Sequence, residues 1–146
     1  MTIHLLFGAL VVILLAATYT DLRERLIYDR FVLSGLVFAL GVHLYHNDLP
    51  WSEYLLTGVG AFLFLAVVAV LTKGSAIGGG DIKLFAMIGF MLGLQWFLWI
   101  FILSHVLAGL FIMGAKLFFP KKFTFKTEFP FAPFILSGTI GTYFLI

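Results

Sequence analysis

The sequence contains no cysteine and very little charge. The absence of cysteine excludes disulfides, thiolate metal ligands and a cysteine nucleophile. Only 11% of the 146 residues are charged, whereas an ordinary soluble domain has about a quarter. In contrast, 62% of the residues are hydrophobic and 18 are phenylalanine. Such a chain has too few polar groups to form a water-facing surface, so we predict an integral membrane protein.

Long apolar runs alternate with short polar segments along the chain. A membrane-spanning helix needs about 20 apolar residues. Six runs approach that length, although the fourth is short for a full crossing. They cover residues 2–20, 31–46, 53–72, 82–93, 95–119 and 131–146. No repeat or linker separates them, so residues 1–146 are predicted to form a single all-α domain of six transmembrane helices.

The basic residues predict how these helices are oriented. If every run crosses the membrane once, all nine lysines and arginines fall on one side. They are Arg23, Arg25, Arg30, Lys73, Lys83, Lys116, Lys121, Lys122 and Lys126. Basic residues are enriched in cytoplasmic loops. We therefore predict a multi-pass protein of the cell (inner or cytoplasmic) membrane, with both termini on the extracytoplasmic side.

Two aspartates stand at the predicted cytoplasmic edge of the membrane. Asp21 ends the first run, and Asp81 follows three glycines and opens the fourth. Singly, Asp81 is well explained as a helix-capping residue, and Asp21 as an interfacial residue paired with a nearby arginine. Two neighbouring carboxylates, however, share a proton and together activate a water molecule. With the glycine run beside one of them, the pair favours an aspartic protease site facing the cytoplasm.

Three motifs resemble those of the type IV prepilin peptidases, which are membrane aspartic proteases of the GxGD class. The stretch GGGDIKL, at 78–84, resembles the family motif G-x-G-D-x-K-L. TDLRERLIYD, at 20–29, resembles the first aspartate site, and FPFAPFILSG, at 129–138, resembles the segment before the last helix. The motifs occur in the family's order and cover essentially the whole chain. The resemblance implies that Asp21 and Asp81 are the catalytic pair and that neither cofactor nor metal is needed.

The resemblance also implies a substrate. These enzymes remove a short basic leader from a pilin, pseudopilin or archaellin precursor; the expected partners are therefore such a precursor and membrane lipid, with no nucleic acid. The chain departs from the family at Tyr28 and Asp29, where proline and asparagine are usual. It also lacks the N-terminal Cys-x-x-Cys region of the larger members. We therefore expect no N-methyltransferase activity, as in the short forms linked with Tad (Flp) pili and preflagellin processing.

Several further residues are predicted to support the site. Without side chains, the glycines would let an extended peptide approach, although three glycines also make a flexible loop. Lys83 would influence the aspartates, hold an acidic group of the substrate or simply extend to the interface. The acids would receive a basic leader by charge complementarity, although pairing with nearby basic residues explains any single one of them better. The prolines would keep the chain extended before the last helix, although a proline also occurs simply as a helix-start residue. These residues are Gly78, Gly79, Gly80, Lys83, Asp29, Glu128, Pro130 and Pro133.

Glycines inside the apolar runs are a separate signal. Small residues let membrane helices approach one another closely. We therefore predict close helix packing at Gly58 and Gly60 in the third run, and at Gly109 and Gly114 in the fifth.

Other interpretations remain open at this level. A small proton-coupled transporter also uses carboxylates and glycine-broken helices, and a non-catalytic scaffold of a secretion system would share the peptidase's sequence. Asp29 is a second candidate partner for Asp81. Asp21 lies at a helix C-terminus, where the helix dipole disfavours negative charge, and Asp81 lies at an N-terminus, where it is favoured. This reasoning predicts that Asp21 is the more often protonated of the pair.

Overall fold

The described part of the chain folds into six helices. The computed structural model describes residues 1–46, 48–121 and 129–145, and these contain no strand. The helices are α1 (Thr2–Glu24), α2 (Asp29–Tyr45), α3 (Trp51–Leu71), α4 (Gly79–Leu92), α5 (Leu94–Phe118) and α6 (Ala132–Phe144). The all-α prediction is confirmed over these residues. Two boundaries differ from it in ways that matter, because α1 continues past Asp21 and α4 begins before Asp81.

Three helices are long and apolar enough to cross a membrane. They are α1, α3 and α5, and between 22% and 28% of their most apolar stretches is buried within the protein. The remaining surface is largely hydrocarbon, which only lipid can cover at low free-energy cost. Helices α2, α4 and α6 are shorter, with 17, 14 and 13 residues. The chain is a helical membrane protein, whereas six crossings and the orientation of the termini remain predictions.

Helix α4 lies at the centre of the bundle. It packs against α1, α2, α3 and α5, and its buried side chains occur around its whole circumference. They are Ile82, Leu84, Phe85, Met87, Ile88, Met91 and Leu92. At 1.5 Å per residue it is only about 21 Å long, less than the roughly 30 Å thickness of the hydrocarbon layer. A short helix is tolerated there because protein, rather than lipid, covers most of its sides.

Glycines allow several of these helices to approach closely, but the predicted positions are mostly wrong. A Cβ atom at Gly58 would lie 3.0 Å from the Cβ of Phe90 in α4, as predicted, whereas Gly60, Gly109 and Gly114 have no neighbouring atom within 4 Å. The tightest contact between α5 and α6 is instead at Gly138. The sequence shows which residues are small, but the packing of the bundle decides which way each one faces.

Candidate active site

Asp21 lies in the last turns of α1 and is only 7% exposed. Its Oδ2 accepts a hydrogen bond of 3.1 Å from the backbone N–H of Ala132, the first residue of α6. The first N–H groups of a helix have no partner within that helix. Asp21 supplies an acceptor for one of these N–H groups, although it lies 111 residues away in the sequence. It therefore caps α6, which ties the start of the last helix to the end of the first.

Asp81 is the third residue of α4, a helix that is not among the three long enough to span the membrane. Burial and the nearby Asp21 carboxylate raise the pKa of the Asp81 carboxyl to about 7, and the Gly78 backbone N–H opposes the shift. Asp81 Oδ1 is buried, with no hydrogen-bond partner in the described part of the chain. The structure thus brings Asp21 near enough for its charge to affect the Asp81 carboxyl.

The three glycines before Asp81 have three different surroundings. A Cβ atom at Gly80 would lie 2.9 Å from the Cβ of Ile27, in the loop between α1 and α2. At Gly78 the nearest atom would be Asp81 Oδ2 at 3.4 Å, and at Gly79 nothing lies within 4 Å. Gly80 therefore lets the start of α4 contact the loop that follows Asp21, whereas Gly79 faces open space.

The glycines, for which a flexible loop was the alternative prediction, form a helix start instead. Gly78 is the extended N-cap residue, with φ −79° and ψ 152°, and Gly79 and Gly80 are already helical. None of the three has a positive φ. Close approach, and not an unusual backbone conformation, is therefore the requirement that glycine meets at position 80.

An open groove of about 600 Å³ lies between the α1–α2 loop and the first turns of α4. Its lining residues are Leu26, Ile27, Tyr28, Asp29, Arg30, Gly79, Gly80 and Lys83. Lys83 Nζ in α4 forms an ion pair of 2.6 Å with Asp29 Oδ1 in α2, with side chains 44% and 66% exposed. An ion pair this exposed contributes at most about 1 kcal/mol. Its effect is mainly to hold two sides of the groove together.

This ion pair bears on two of the sequence predictions. Lys83 was predicted to act on the aspartates, to hold a substrate acid or to extend to the interface, and in the structure its partner is Asp29. Asp29 was expected to receive the leader or to pair with a nearby basic residue. Its exposure and its bond to Lys83 also favour Asp21 over Asp29 as the partner of Asp81. The predicted Glu128 lies outside the described residues.

The proline segment before the last helix is shorter than predicted. Pro133 is the second residue of α6, so the predicted extended conformation is wrong at this position. Proline suits the first turn of a helix because its fixed φ is already helical and its missing N–H would have no partner there. Pro133 thus helps to start the helix whose first N–H reaches Asp21.

Sequence reasoning missed Ala132 and Ile27. Ala132 is the small residue between the two prolines of PFAPF, and a helix starting there must present its N–H groups to something. Ile27 carries no chemical signal, because its importance lies only in its distance from Gly80.

The fold and the site together define a helical membrane protein with two neighbouring aspartates, one near the end of α1 and one in the first turn of α4. The sequence model of the type IV leader peptidase family matches residues 8–113, which contain both aspartates and the glycine run. The chain belongs to this family.

Individual relatives agree with this assignment. The chain is 38% identical to a prepilin leader peptidase/N-methyltransferase of Bacillus subtilis (strain 168), over 94% of this chain and 55% of the relative. It is 29% identical to the protein of the same description from Legionella pneumophila, over 97% of this chain and 51% of the relative. The chain therefore spans about half the length of the curated relatives it matches. No solved structure matches the chain.

Proposed function

We propose that this protein is an aspartic endopeptidase that removes the short basic leader from type IV pilin-like precursors, with Asp21 and Asp81 as the catalytic pair. The observation that carries the proposal is the placement of the buried Asp81 carboxyl beside Asp21, which raises the pKa of Asp81 to about 7. One proton shared by two carboxyls near neutral pH is the state that general acid–base hydrolysis of a peptide requires. Family membership supports the class of substrate.

The reaction needs no covalent enzyme intermediate. The ionised carboxyl accepts a proton from water while the water oxygen attacks the scissile carbonyl carbon. The protonated carboxyl donates its proton to the carbonyl oxygen, which gives a neutral tetrahedral diol. The diol then returns a proton to the carboxyl that has just become ionised. The other carboxyl gives the proton that it took from water to the amine as the C–N bond breaks. The pair ends with one proton, ready for the next turnover.

The groove beside α4 is the proposed path of the substrate. A peptide must lie extended to expose its carbonyl to two carboxyls, and an extended chain needs an unobstructed surface. Gly79 offers one, because nothing lies within 4 Å of the position of its absent Cβ. The ion pair between Lys83 and Asp29 lies in the same groove, so a basic leader would compete with Lys83 for Asp29.

The cytoplasmic orientation rests on charge. The turn after Asp21, the start of α2 and the start of α4 carry Arg23, Arg25, Arg30 and Lys83, near the proposed catalytic pair. The preference of basic residues for the cytoplasmic side therefore supports an active site that faces the cytoplasm.

Cleavage of a co-expressed precursor tests this function. The precursor would carry a basic leader and a glycine before its hydrophobic helix. We expect cleavage to be lost in Asp21→Asn and Asp81→Asn and retained in Asp29→Asn, with all three variants present in the membrane. Asparagine keeps an oxygen that can accept the Ala132 N–H, so Asp21→Asn removes the charge while preserving the cap of α6.

Three results would contradict the proposal in different ways. Cleavage by Asp81→Asn would exclude an aspartate pair as the catalyst. Loss in Asp29→Asn with cleavage retained in Asp21→Asn would assign the pair to Asp29 and Asp81. Failure of the wild-type protein to cleave any of several precursors would favour a transporter or a non-catalytic scaffold.

A further inference from the structure

The two aspartates differ in the hydrogen bonds that surround them. Asp21 Oδ2 accepts a hydrogen bond from the Ala132 N–H at the start of α6. Asp81 Oδ1 is buried without a partner in the described part of the chain. The two carboxyls are therefore not equivalent holders of a single proton.

We propose that Asp21 is the charged member of the resting pair, that Asp81 Oδ1 carries the proton, and that the Ala132 N–H is the positioning group that holds the charge on Asp21. The proposal deepens the proposed function and rests on it. It assigns the base and the acid of the reaction to particular atoms.

The argument for a charged Asp21 comes from α6. A backbone N–H stabilises a carboxylate more strongly than a neutral acid, and the N-terminus of α6 adds a partial positive charge. The C-terminus of α1, on which Asp21 lies, has the opposite effect. At Asp21 the sequence shows only the dipole of α1, the helix that carries it, and that dipole led to the reverse prediction. The contact with α6 is made at bonding distance and so acts directly on the carboxylate.

The argument for a protonated Asp81 comes from its unpartnered oxygen. The N-terminus of α4 and the Gly78 N–H favour charge on Asp81, but burial and the Asp21 charge outweigh them. A negative oxygen removed from water with no donor is strongly unfavourable. A proton on Oδ1 removes that negative charge and makes the atom a donor.

The charged and titratable groups of the neighbouring elements do not reverse this order. Lys83 of α4 bonds to Asp29 of α2, and Arg30 of α2 lies over the rings of Tyr28 and Phe31.

His105 of α5 lies against the ring of Phe131, just before α6, and its Nδ1 bonds to the Phe101 carbonyl. In the turn after Asp21, Glu24 bonds to the Tyr28 hydroxyl. Among the described residues, the basic side chains close to Asp21 in the sequence are Arg23, which bonds to Tyr19, and Arg25; a positive charge nearby favours a charged carboxyl.

The assignment determines the direction of proton transfer. Asp21 has one oxygen committed to Ala132, so its Oδ1 is the atom that takes the proton from water. Asp81 Oδ1–H donates to the carbonyl oxygen of the substrate. The water oxygen forms the new bond to carbon, and the total number of protons on water, substrate and the pair is unchanged.

Carbon-13 NMR of wild-type protein labelled at aspartate measures the assignment directly, because the side-chain carboxyl resonance reports protonation. The resonances of Asp21 and Asp81 are identified by their loss in Asp21→Asn and Asp81→Asn. At mildly acidic pH we expect a protonated Asp81 and an ionised Asp21 in the wild-type protein, with Asp81 titrating near neutral pH. The reverse order, or two carboxyls that titrate together as equal partners, would overturn the proposal.

Ala132→Pro tests the positioning group. Proline deletes the N–H at the first position of a helix, where its own φ is tolerated, but it disfavours the helical backbone of the preceding Phe131. Ala132→Gly is the matched variant that keeps the N–H. We expect the carboxyl resonance of Asp21 to shift in Ala132→Pro, because the hydrogen bond to its charged oxygen is lost. In Ala132→Gly the resonance should stay in place.

A folded Ala132→Pro protein whose Asp21 carboxyl resonance lies where it does in the wild type would refute the role of Ala132. If this variant does not fold, the wild-type titration still decides where the proton lies. These NMR measurements need no substrate, so their failure is distinguishable from a failure of the proposed peptidase activity.

Discussion

Replacing Gly80 with alanine tests how the structure brings the two aspartates together. The new Cβ would lie 2.9 Å from Ile27 Cβ, 3.2 Å from Ile27 Cδ1 and 3.3 Å from Ile27 Cγ1. Carbon atoms in contact prefer about 3.5–4.0 Å, so the start of α4 and the α1–α2 loop must separate by several tenths of an ångström or more. Overpacking of this kind destabilises a protein by about 1–3 kcal/mol.

Gly79→Ala is the matched control. The substitution is the same, it lies one residue earlier in the same helix turn, and its Cβ meets nothing within 4 Å. Because Gly79 is helical, alanine there should stabilise the protein by about 0.4–1 kcal/mol through the unfolded chain. The two variants are therefore expected to change the free energy of unfolding in opposite directions.

Thermal unfolding in detergent and precursor cleavage are the two assays. In Gly80→Ala we expect a lower midpoint and a cleavage rate reduced by about 10- to 100-fold, because Asp81 moves with the helix start and small misplacements are costly in catalysis. Ile27→Ala in the same chain should restore part of both, since it removes two of the three close atoms. Equal midpoints for Gly79→Ala and Gly80→Ala would refute the packing argument.

Three further predictions concern other parts of the molecule. Gly138→Ala should destabilise the protein by about 1–3 kcal/mol, because its Cβ would lie 2.9 Å from a backbone nitrogen of α5. Gly109→Ala should not destabilise it, because no described atom lies within 4 Å of that Cβ position. Equal midpoints of thermal unfolding for the two variants would contradict this. The pKa of Asp81, raised to about 7 in the folded protein, favours folding at acidic pH. This contribution to the free energy of unfolding should be lost as pH rises from the ordinary carboxyl range to neutral. An Asp81→Asn variant whose stability depends on pH as the wild type's does would disprove the prediction. Lys83→Met should lower the free energy of unfolding by less than about 1 kcal/mol. Because it frees Asp29, it should alter the KM for precursors with basic leaders. An unchanged KM would exclude the groove as the leader path.

The catalytic candidates and the helices were accessible from sequence for physical reasons. Apolar runs must become helices in lipid, because no other local structure satisfies the backbone hydrogen bonds there. Charged residues are rare in such a chain, so Asp21 and Asp81 are conspicuous. The resemblance in three motifs then selected the family to which the chain belongs.

The supporting interactions were less accessible. Lys83 pairs with Asp29, 54 residues away, and no local pattern predicts that contact. Gly80 and Gly79 are identical neighbours in the sequence, yet one packs against Ile27 and the other faces open space. Such differences depend on helix rotation and on the path of a distant loop.

The sequence by itself determined the membrane class, the helical architecture, the family and the two aspartates, because composition and short motifs are local properties. Only the tertiary structure decided how those aspartates differ. The first N–H of α6 reaches Asp21 across 111 residues, while the buried Asp81 Oδ1 has no hydrogen-bond partner among the described residues. A helix dipole can be inferred from the chain that carries it, but the dipole of another helix acts only where packing places its end.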